Sequence, residues 1–394
     1  NTSKYLRKHL SNWASPQRKT NGSPIPGKAI TQYQPKGVVG IISPWNYPFQ
    51  LAMVPLLTAI AAGNSVIIKP SEITPNTAAL LADLFDGEFD PAQIAVAIGG
   101  QDVGEHFSSL PFDHLFYTGS TRVGRLVAMA AAKNLTPVTL ELGGKSPCVL
   151  LPDADIAEAV KTIAFGKFYN AGQTCVAPDY LLVPKDKAQE IGEALIASVS
   201  AFYPNIRTNE DYSSIISDAH YARLNGLVSD AVERGSQLLR VESDEQAMKQ
   251  GRKIAPTVIL NPPTDSAIMA EEIFGPIIPI IEYDSVDDAV RFITERDHPL
   301  ALYVYGGTAA ANDLLNRTTS GGACINATVI HLTIESLPFG GVGKSGYGAY
   351  HGENGFREFS HERAIFNLPT WLPKSLITPP YSKIFHWLVN RQIG

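Results

Sequence analysis

Short apolar runs alternate with longer stretches of helical periodicity along most of the chain. Between residues 37 and 141 the runs are rich in Val and Ile and are bounded by Gly, Pro, Asn or Ser, which predicts buried strands separated by helices. The predicted strands lie at 38–42, 65–68, 94–98, 114–117 and 137–141, and the predicted helices at 49–62, 75–85 and 122–133. Near-continuous apolar strands that alternate with helices favour a parallel, doubly wound sheet.

A second alternation of the same kind follows. Helices are predicted at 156–169, 187–202 and 219–234, and strands at 257–260, 277–283 and 302–305. The 394 residues exceed the size at which a single hydrophobic core stops growing. The fold class is therefore predicted to be α/β, with two doubly wound parallel-sheet domains. Leu142-Gly143-Gly144 is the predicted boundary, because its glycines could act as a hinge.

The two ends of the chain differ from its body. Residues 16–35 are rich in Pro, Gly and polar side chains, and Asn21-Gly22 predicts a hairpin turn. Such a hairpin could pair edge to edge with another subunit. Four prolines follow residue 366, and the aromatic stretch at 384–388 is predicted to be irregular chain that packs its rings on a surface. The predicted divisions are thus 1–141, 142–338 and a C-terminal segment at 339–394.

Composition narrows the class of protein. Apolar residues make up 44% and charged residues 18% of the chain, as in ordinary globular proteins, and the net charge of −6 gives no reason to expect nucleic acid or an anionic membrane as a partner. Residues 37–68 carry no charge, but Pro44, Pro48 and Pro55 argue against one membrane-spanning helix. No signal-peptide pattern is present, and because the first residue is Asn1 rather than Met, we expect the natural chain to begin further upstream.

Three cysteines are too few and too scattered for a disulfide framework, and no Cys/His spacing suggests a metal site. We therefore expect a cytoplasmic protein. Cys148 and Cys324 lie in apolar, strand-like contexts that predict small buried hydrophobes. Cys175 follows Gly172-Gln173-Thr174 in a turn, so it is a candidate nucleophile, although burial as an ordinary apolar side chain is an equally good interpretation of this cysteine alone.

Two polar residues follow predicted strands. Glu141 ends one strand in front of Gly143-Gly144, at the edge of the sheet where ligands bind in α/β proteins. Asn46 follows another strand and could donate an N–H to a developing oxyanion. The alternatives are a surface glutamate and an ordinary turn. A thiol and a carboxylate together would equip an enzyme for covalent catalysis followed by activation of a water.

A composite signal indicates a nucleotide cofactor. Residues 119–124, Gly-Ser-Thr-Arg-Val-Gly, follow a strand and open a helix, where phosphate binds readily, but Thr121 replaces the central glycine of the dinucleotide fingerprint. Lys69 and Glu72 supply a cation and a carboxylate suited to the adenosine ribose. The glycine-aromatic loops at 271–276 and 338–343 are typical of ligand sites, although each is unspecific alone.

In this order the motifs resemble those of the aldehyde dehydrogenase superfamily, from about residue 5 to residue 365. The set comprises Pro-Trp-Asn-Tyr-Pro (44–48), Lys-Pro-Ser-Glu (69–72), Gly-Ser-Thr-Arg-Val-Gly (119–124), Glu-Leu-Gly-Gly-Lys-Ser-Pro (141–147), Gly-Gln-Thr-Cys (172–175) and Glu-Glu-Ile-Phe-Gly-Pro (271–276). Residues 130–147 and 336–352 are most similar to the class-3 subgroup, which includes fatty, aromatic and coniferyl aldehyde dehydrogenases.

The resemblance implies a role for each motif. It implies that Cys175 is the nucleophile, Glu141 the general base and Asn46 an oxyanion donor. It implies that residues 1–141 bind NAD, with NADP tolerated, and that residues 142–338 form the catalytic domain. The cofactor-binding residues that it implies are Lys69, Glu72, Gly119, Ser120, Gly124, Glu272 and Phe274.

The resemblance also implies a substrate and an assembly. We expect oxidation of an aldehyde to an acid, with coniferyl aldehyde ahead of other aromatic or medium-chain aldehydes. Tyr47, Phe168 and Tyr169 are predicted to line the substrate tunnel, and Phe385 and Trp387 to cover its mouth. We expect a homodimer formed through residues 16–35 and 359–366. The alternatives are a CoA-acylating semialdehyde dehydrogenase, a thiol-dependent hydrolase or acyltransferase without nicotinamide, and a structural role after loss of activity.

Overall fold

The computed structural model describes residues 2–20, 22, 26–243, 245–373 and 378–393. It is an α/β structure, as predicted. Its helices are α1 Thr2–Trp13, α2 Gln50–Ala61, α3 Pro75–Phe85, α4 Gln101–Ser108, α5 Thr121–Ala132, α6 Ile156–Phe168, α7 Ala188–Phe202, α8 Asp218–Glu233, α9 Glu245–Gln250, α10 Ala267–Ala270, α11 Val286–Thr294, α12 Thr308–Asn316, α13 Gly352–Glu358 and α14 Lys383–Ile393. Its strands are β1 Gln17–Lys19, β2 Lys28–Pro35, β3 Val38–Ile42, β4 Ser65–Lys69, β5 Ile94–Val96, β6 His114–Thr118, β7 Val138–Glu141, β8 Pro147–Leu150, β9 Tyr180–Pro184, β10 Gln237–Arg240, β11 Thr257–Leu260, β12 Ile277–Tyr283, β13 Ala301–Tyr305, β14 Gly322–Ile325, β15 Gly346–Tyr347 and β16 Ser360–Asn367.

Six strands form a sheet in the order β15-β7-β6-β3-β4-β5, parallel except for the edge strand β15. The uncharged stretch at 37–68 becomes β3, α2 and β4 of this sheet rather than a membrane span. The centre is apolar because Val39, Ile41 and Ile68 are fully buried against the covering helices. Since parallel strands end at the same edge of the sheet, four sequence motifs meet there, following β3, β4, β6 and β7.

Seven strands form a second sheet in the order β10-β11-β12-β9-β8-β13-β14, again parallel except for the edge strand β10. Cys148 on β8 is fully buried and Cys324 on β14 is partly buried, in keeping with their predicted strand contexts. Residues 142–146 run from the first sheet to the second. The domain limits at 141 and 338 stay a prediction.

The region at 16–35 forms the predicted antiparallel pair, β1 with β2, and β16 pairs with the other side of β2 over eight residues. The proposed turn at Asn21 lies outside the described residues.

The prediction for the tail was wrong in one respect, because residues 383–393 form helix α14 rather than irregular chain. The four prolines that suggested irregular chain all precede this helix, so none of them interrupts it. Its Ile384 and Trp387 are 54% and 57% exposed. None of the helices in the described ranges combines the length and the apolar composition needed to cross a bilayer.

Candidate active site

A cavity of about 250 Å³ lies at the carboxyl end of β7 and contains two of the predicted catalytic residues, Cys175 and Glu141. The two residues are separated by 34 positions in sequence. Glu141 ends β7 of the first sheet and Cys175 lies between α6 and β9, so the fold brings them together. The other lining residues are Tyr47, Gln50, Leu51, Thr118, Leu142, Phe165, Tyr169, Thr174, Val176, Leu300, Val329, Ile330, Leu332, Thr333, Phe339, Tyr350 and His351. Most of this wall is apolar, as in small-molecule sites generally.

Unusual backbone after α6 places Cys175 in this cavity. Asn170 and Ala171 both adopt positive φ, at 51° and 50°, and Gly172 follows at 73°. A Cβ at Gly172 would lie 2.2 Å from the carbonyl oxygen of Gly275, so only glycine fits. The side chain of Gln173 anchors the turn, because its Nε2 donates to the Ser214 carbonyl and its Oε1 accepts from the Ile216 N–H.

The environment of Cys175 disfavours the thiolate. Burial, followed by the negative charges of Glu272 and Glu141, raises the pKa of its thiol to about 12. Hydrogen bonds from the backbone N–H groups of Cys175 and Val176 act in the opposite direction. The thiol is therefore protonated at neutral pH and must lose its proton before it can act as a nucleophile.

Glu141 is buried at the end of β7, with 3% of its surface exposed. Neither carboxyl oxygen has a hydrogen-bond partner within the described structure. Burial, and then the negative charge of Glu358, raises its pKa well above the ordinary range of a carboxyl group. A carboxyl group held this way costs free energy of folding and is typical of a residue kept for proton transfer.

Asn46 lies beside the cysteine turn. Its Nδ2 donates to the carbonyl oxygen of Gln173 at 3.1 Å, and its own carbonyl accepts from Asn170 Nδ2 at 3.1 Å. One of its two side-chain N–H groups is thus occupied, and among the described residues Asn46 is not part of the cavity wall. The structure brings Asn46 to the loop that carries Cys175.

Aromatic side chains form one wall of the cavity, but only part of the predicted set is correct. Tyr47 and Tyr169 line it, with ring centroids 6.3 Å apart and nearly parallel planes. Phe168 does not line it, because this ring is fully buried in the hydrophobic core. Phe165 lines the cavity in the place expected of Phe168. Phe165 precedes Tyr169 by four residues, so the two rings lie on the same side of the helix and contact each other, whereas Phe168 points to the other side.

The C-terminal aromatic residues are not part of the cavity wall. Within the described residues, this wall contains no side chain of α14. The expected cover of the cavity mouth by Phe385 and Trp387 stays a prediction.

Five of the predicted cofactor residues lie in two places, at the end of β4 and at the start of α5. Lys69 and Glu72 form an ion pair of 2.6 Å at the end of β4. Gly119 and Ser120 precede α5, where the Ser120 hydroxyl caps the helix by accepting from Val123 N. A Cβ at Gly124 would lie 2.6 Å from Leu142, so glycine permits close packing of helix and strand.

A cleft of about 1240 Å³ is lined by the start of α5, by Gly143 and Gly144, and by Glu272, which among the described lining residues is the one that belongs to the predicted cofactor set. A Cβ at Gly143 would lie 2.1 Å from the Glu272 carboxylate, so the lack of a side chain at Gly143 leaves room for this carboxylate. Burial and then Asp179 raise the Glu272 pKa to about 8. Phe274 has φ of 50° and packs edge-on against Trp45, with centroids 5.3 Å apart.

Three residues that sequence reasoning did not single out hold the loop at 271–274. Lys145 donates to the carbonyls of Ile268 and Glu271 and pairs with Asp179. Asp179 accepts from the Ile273 N–H, and Arg223 donates to the carbonyls of residues 272 and 273. Lys145 lies inside the motif at 141–147, and Asp179 follows the motif at 172–175 by four residues, and these positions are the sequence signal that could have found them.

Comparison with known proteins agrees with this geometry. The family model described as "Aldehyde dehydrogenase family" matches residues 4–365. A probable coniferyl aldehyde dehydrogenase of Caulobacter vibrioides is 46% identical over 389 residues, which cover 96% of this chain and 80% of that protein. Aldehyde dehydrogenase family 3 member A2 of Mus musculus is 46% identical over 339 residues, covering 85% of this chain and 68% of that protein. The substrate-bound structure of Staphylococcus aureus AldH superposes with a TM-score of 0.93 at 43% identity, covering 99% of this chain and 84% of that one.

Proposed function

The chain belongs to the aldehyde dehydrogenase family, and we propose that it performs the reaction of that family through Cys175, Glu141 and Asn46. The activity is NAD(P)-dependent oxidation of an aldehyde to a carboxylic acid. The observation that carries the assignment of residues is the shared cavity, in which a thiol and an unpartnered carboxyl group face the same space.

Each residue of the cavity then has a step. The Cys175 thiol loses its proton to water, and its Sγ attacks the aldehyde carbon to give a tetrahedral adduct. The free side-chain N–H of Asn46 and the backbone N–H of Cys175 stabilise the oxyanion. After oxidation the adduct is a thioester on Cys175. Glu141 in its ionised form removes a proton from a water whose oxygen bonds to the thioester carbon. The carbon–sulfur bond then breaks, the sulfur takes the proton of the new acid to re-form the thiol, and the carboxylate leaves.

The residues around the cleft fit a dinucleotide. The N-terminus of α5 offers backbone N–H groups for phosphate, and the Lys69–Glu72 pair offers a donor and an acceptor for ribose hydroxyls. When bound, NAD(P) supplies the acceptor for the hydride that leaves the aldehyde carbon. The position of Glu72 next to Lys69 favours an unphosphorylated ribose, so we propose a preference for NAD.

We propose coniferyl aldehyde, or a closely related aromatic aldehyde, as the substrate. The wall formed by Tyr47, Phe165 and Tyr169 suits a flat ring, and the described part of the chain places no lysine or arginine in the cavity wall that would attract an anionic aldehyde. The relative from Caulobacter vibrioides carries this substrate in its name. The test is a comparison of kcat/KM for coniferyl aldehyde, hexanal, acetaldehyde and succinic semialdehyde. A lower value for coniferyl aldehyde than for acetaldehyde or succinic semialdehyde would exclude the proposal.

The retained Glu141 argues against a CoA-acylating dehydrogenase, which needs no water in its second step. The cleft and the Lys69–Glu72 pair argue against a hydrolase without nicotinamide, which would have no use for them.

We propose a cytoplasmic homodimer with the division into domains predicted above. In the described sheet, β16 leaves one edge without a partner strand, which favours pairing with a second subunit. Light scattering at the mass of a monomer throughout the micromolar range would contradict the dimer.

A further inference from the structure

A continuous line of polar side chains runs from the surface toward the catalytic carboxyl group and has no part in the steps above. Lys36 Nζ lies 3.0 Å from His114 Nδ1, His114 Nε2 lies 2.8 Å from Thr139 Oγ1, and Thr139 Oγ1 donates to Glu358 Oε1 at 2.5 Å. His114 and Thr139 are almost completely buried, with 1% and 0% exposed. Burying so many polar groups is costly unless each is bonded, and here each is.

The direction of these hydrogen bonds is fixed by chemistry. A charged lysine can only donate, so His114 accepts at Nδ1. Burial, and then the positive charge of Lys36, lowers the pKa of His114 to about 3, so the ring is neutral and carries its proton on Nε2. Thr139 then accepts from His114 and donates to Glu358. The line therefore ends on an oxygen of Glu358 that accepts, as a carboxylate does.

Glu358 is held close to Glu141 by strand geometry. Thr139 and Glu141 are two residues apart on β7 and so face the same side of the sheet. On the neighbouring segment, a Cβ at Gly348 would lie 2.8 Å from Glu358 Oε1 and 2.7 Å from Thr139 Cγ2, so the lack of a side chain there leaves room for the carboxylate. The Glu358 side chain is 26% exposed, whereas Glu141 has 3% exposed.

Several other groups face this space from the surrounding elements. The titratable side chains next to Glu141 are Cys175 from the loop after α6, Tyr350 and His351 from the segment before α13, and Glu358 from the end of α13. Of these, Glu358 alone belongs to the hydrogen-bonded line that reaches Lys36. While a thioester fills the cavity, the route through the cavity mouth is occupied by the acyl group, so the proton gained by Glu141 needs another exit.

We propose that Glu358 is a positioning residue that passes the proton of Glu141 to solvent during release of the acid. The proposal rests on the proposed role of Glu141. The hydrolytic water gives its proton to the Glu141 carboxylate as its oxygen bonds to the thioester carbon. Glu141 gives that proton to the Glu358 carboxylate through a bridging water, because no hydrogen bond joins the two carboxyl groups in the described structure, and Glu358 releases it to bulk water. Glu141 and Glu358 thus both return to their starting ionised forms.

The test compares Glu358→Gln with Glu353→Gln, a matched control on the same helix whose carboxylate pairs with Arg357 instead. Stopped-flow NADH formation separates the first turnover, which needs only Cys175 and the cofactor, from the steady state, which needs deacylation. Glu358→Gln is expected to keep the rate and amplitude of the first turnover. Its steady-state rate is expected to fall about 10-fold, less than the ~10²–10⁴-fold expected for loss of a general base itself.

Two further readouts separate a relay from a charge effect. The negative charge of Glu358 raises the pKa of Glu141. If Glu358 acted by its charge alone, Glu358→Gln would lower that pKa, and deacylation would become faster below the pKa of Glu141 and stay unchanged above it. A relay predicts slower deacylation on both sides, with the rate recovering as the concentration of imidazole buffer rises. Unchanged or faster deacylation in Glu358→Gln would overturn the proposal and leave the assignment of Cys175 and Glu141 intact, because the first turnover tests Cys175 and the Glu141→Gln variant tests Glu141 separately.

Thr139→Val provides a second variant if Glu358→Gln fails to fold. This variant removes the hydroxyl that orients Glu358, so it is expected to lower the steady-state rate and to leave the first turnover unchanged. Thr139→Ser keeps the hydroxyl and is expected to keep the steady-state rate. Equal steady-state rates for these two variants would also overturn the relay.

Discussion

Glu141→Gln separates the two halves of the reaction, and its effect follows from the contacts of this side chain. The carboxyl group has no hydrogen-bond partner in the described structure, so an amide of nearly the same shape breaks no bond. Because burial raises the pKa of this carboxyl group, the fold disfavours its charged form, and the substitution removes no stabilising charge. We therefore expect the free energy of unfolding to change by less than about 1 kcal/mol, since a typical hydrogen bond contributes that much.

The kinetic effect is expected to be much larger. Removal of a general base costs ~10²–10⁴-fold, and in this enzyme the loss falls mainly on deacylation, when water must be activated. Mixing the variant with NAD and coniferyl aldehyde should give a burst of NADH approaching one equivalent per active site, followed by slow turnover. The control is denaturant unfolding of both proteins. A steady-state rate equal to that of the unchanged enzyme would remove Glu141 from the mechanism, and a lost burst with an intact fold would assign Glu141 to the first step instead.

Other substitutions test separate parts of the account. Cys175→Ala is expected to abolish oxidation while NAD binding, measured by fluorescence, changes little; substantial remaining turnover would refute the nucleophile. Glu272→Gln is expected to lower the pKa of the Cys175 thiol, because a negative charge beside a thiol disfavours the thiolate. Since the Glu272 pKa is itself raised to about 8, alkylation of Cys175 by iodoacetamide should become faster in this variant only above that pH, and equal rates there would contradict the electrostatic argument. Tyr169→Ala is expected to reduce kcat/KM for coniferyl aldehyde by roughly 2–10-fold with little change for acetaldehyde, since an aromatic contact contributes ~0.5–1.5 kcal/mol; an equal loss for both would indicate a structural effect.

Periodicity was sufficient for β3 to β7 of the first sheet, for β11, β12 and β13 of the second, and for helices α2, α3 and α5 to α8, because these segments are long or strongly apolar. It did not find β8 and β9 at the centre of the second sheet, nor β14 and β10. Residues 322–325 read Gly-Ala-Cys-Ile, with little β-branched character, and β10 is a half-exposed edge strand whose pairing depends on β11. The prolines before residue 381 concealed α14, because they give no information about the chain beyond them.

The site shows a similar division. Cys175 and Glu141 could be found because each lies in a distinctive local motif. The difference between Phe165 and Phe168 depends on the rotation of α6, which the sequence leaves undefined to within a residue. Glu358 could not be predicted, since its contact with Thr139 joins positions 219 residues apart and neither lies in a recognised motif.

The most direct test of the account is capture of the covalent intermediate on Cys175. Glu141→Gln is mixed with NAD and coniferyl aldehyde, quenched in acid during the burst, digested and analysed by mass spectrometry. The account predicts that the peptide containing Cys175 gains the mass of the feruloyl group, and that this adduct is absent without NAD and absent in the Cys175→Ala, Glu141→Gln double variant. An NADH burst with no acyl adduct on Cys175, or an adduct on Cys148 or Cys324 instead, would contradict it.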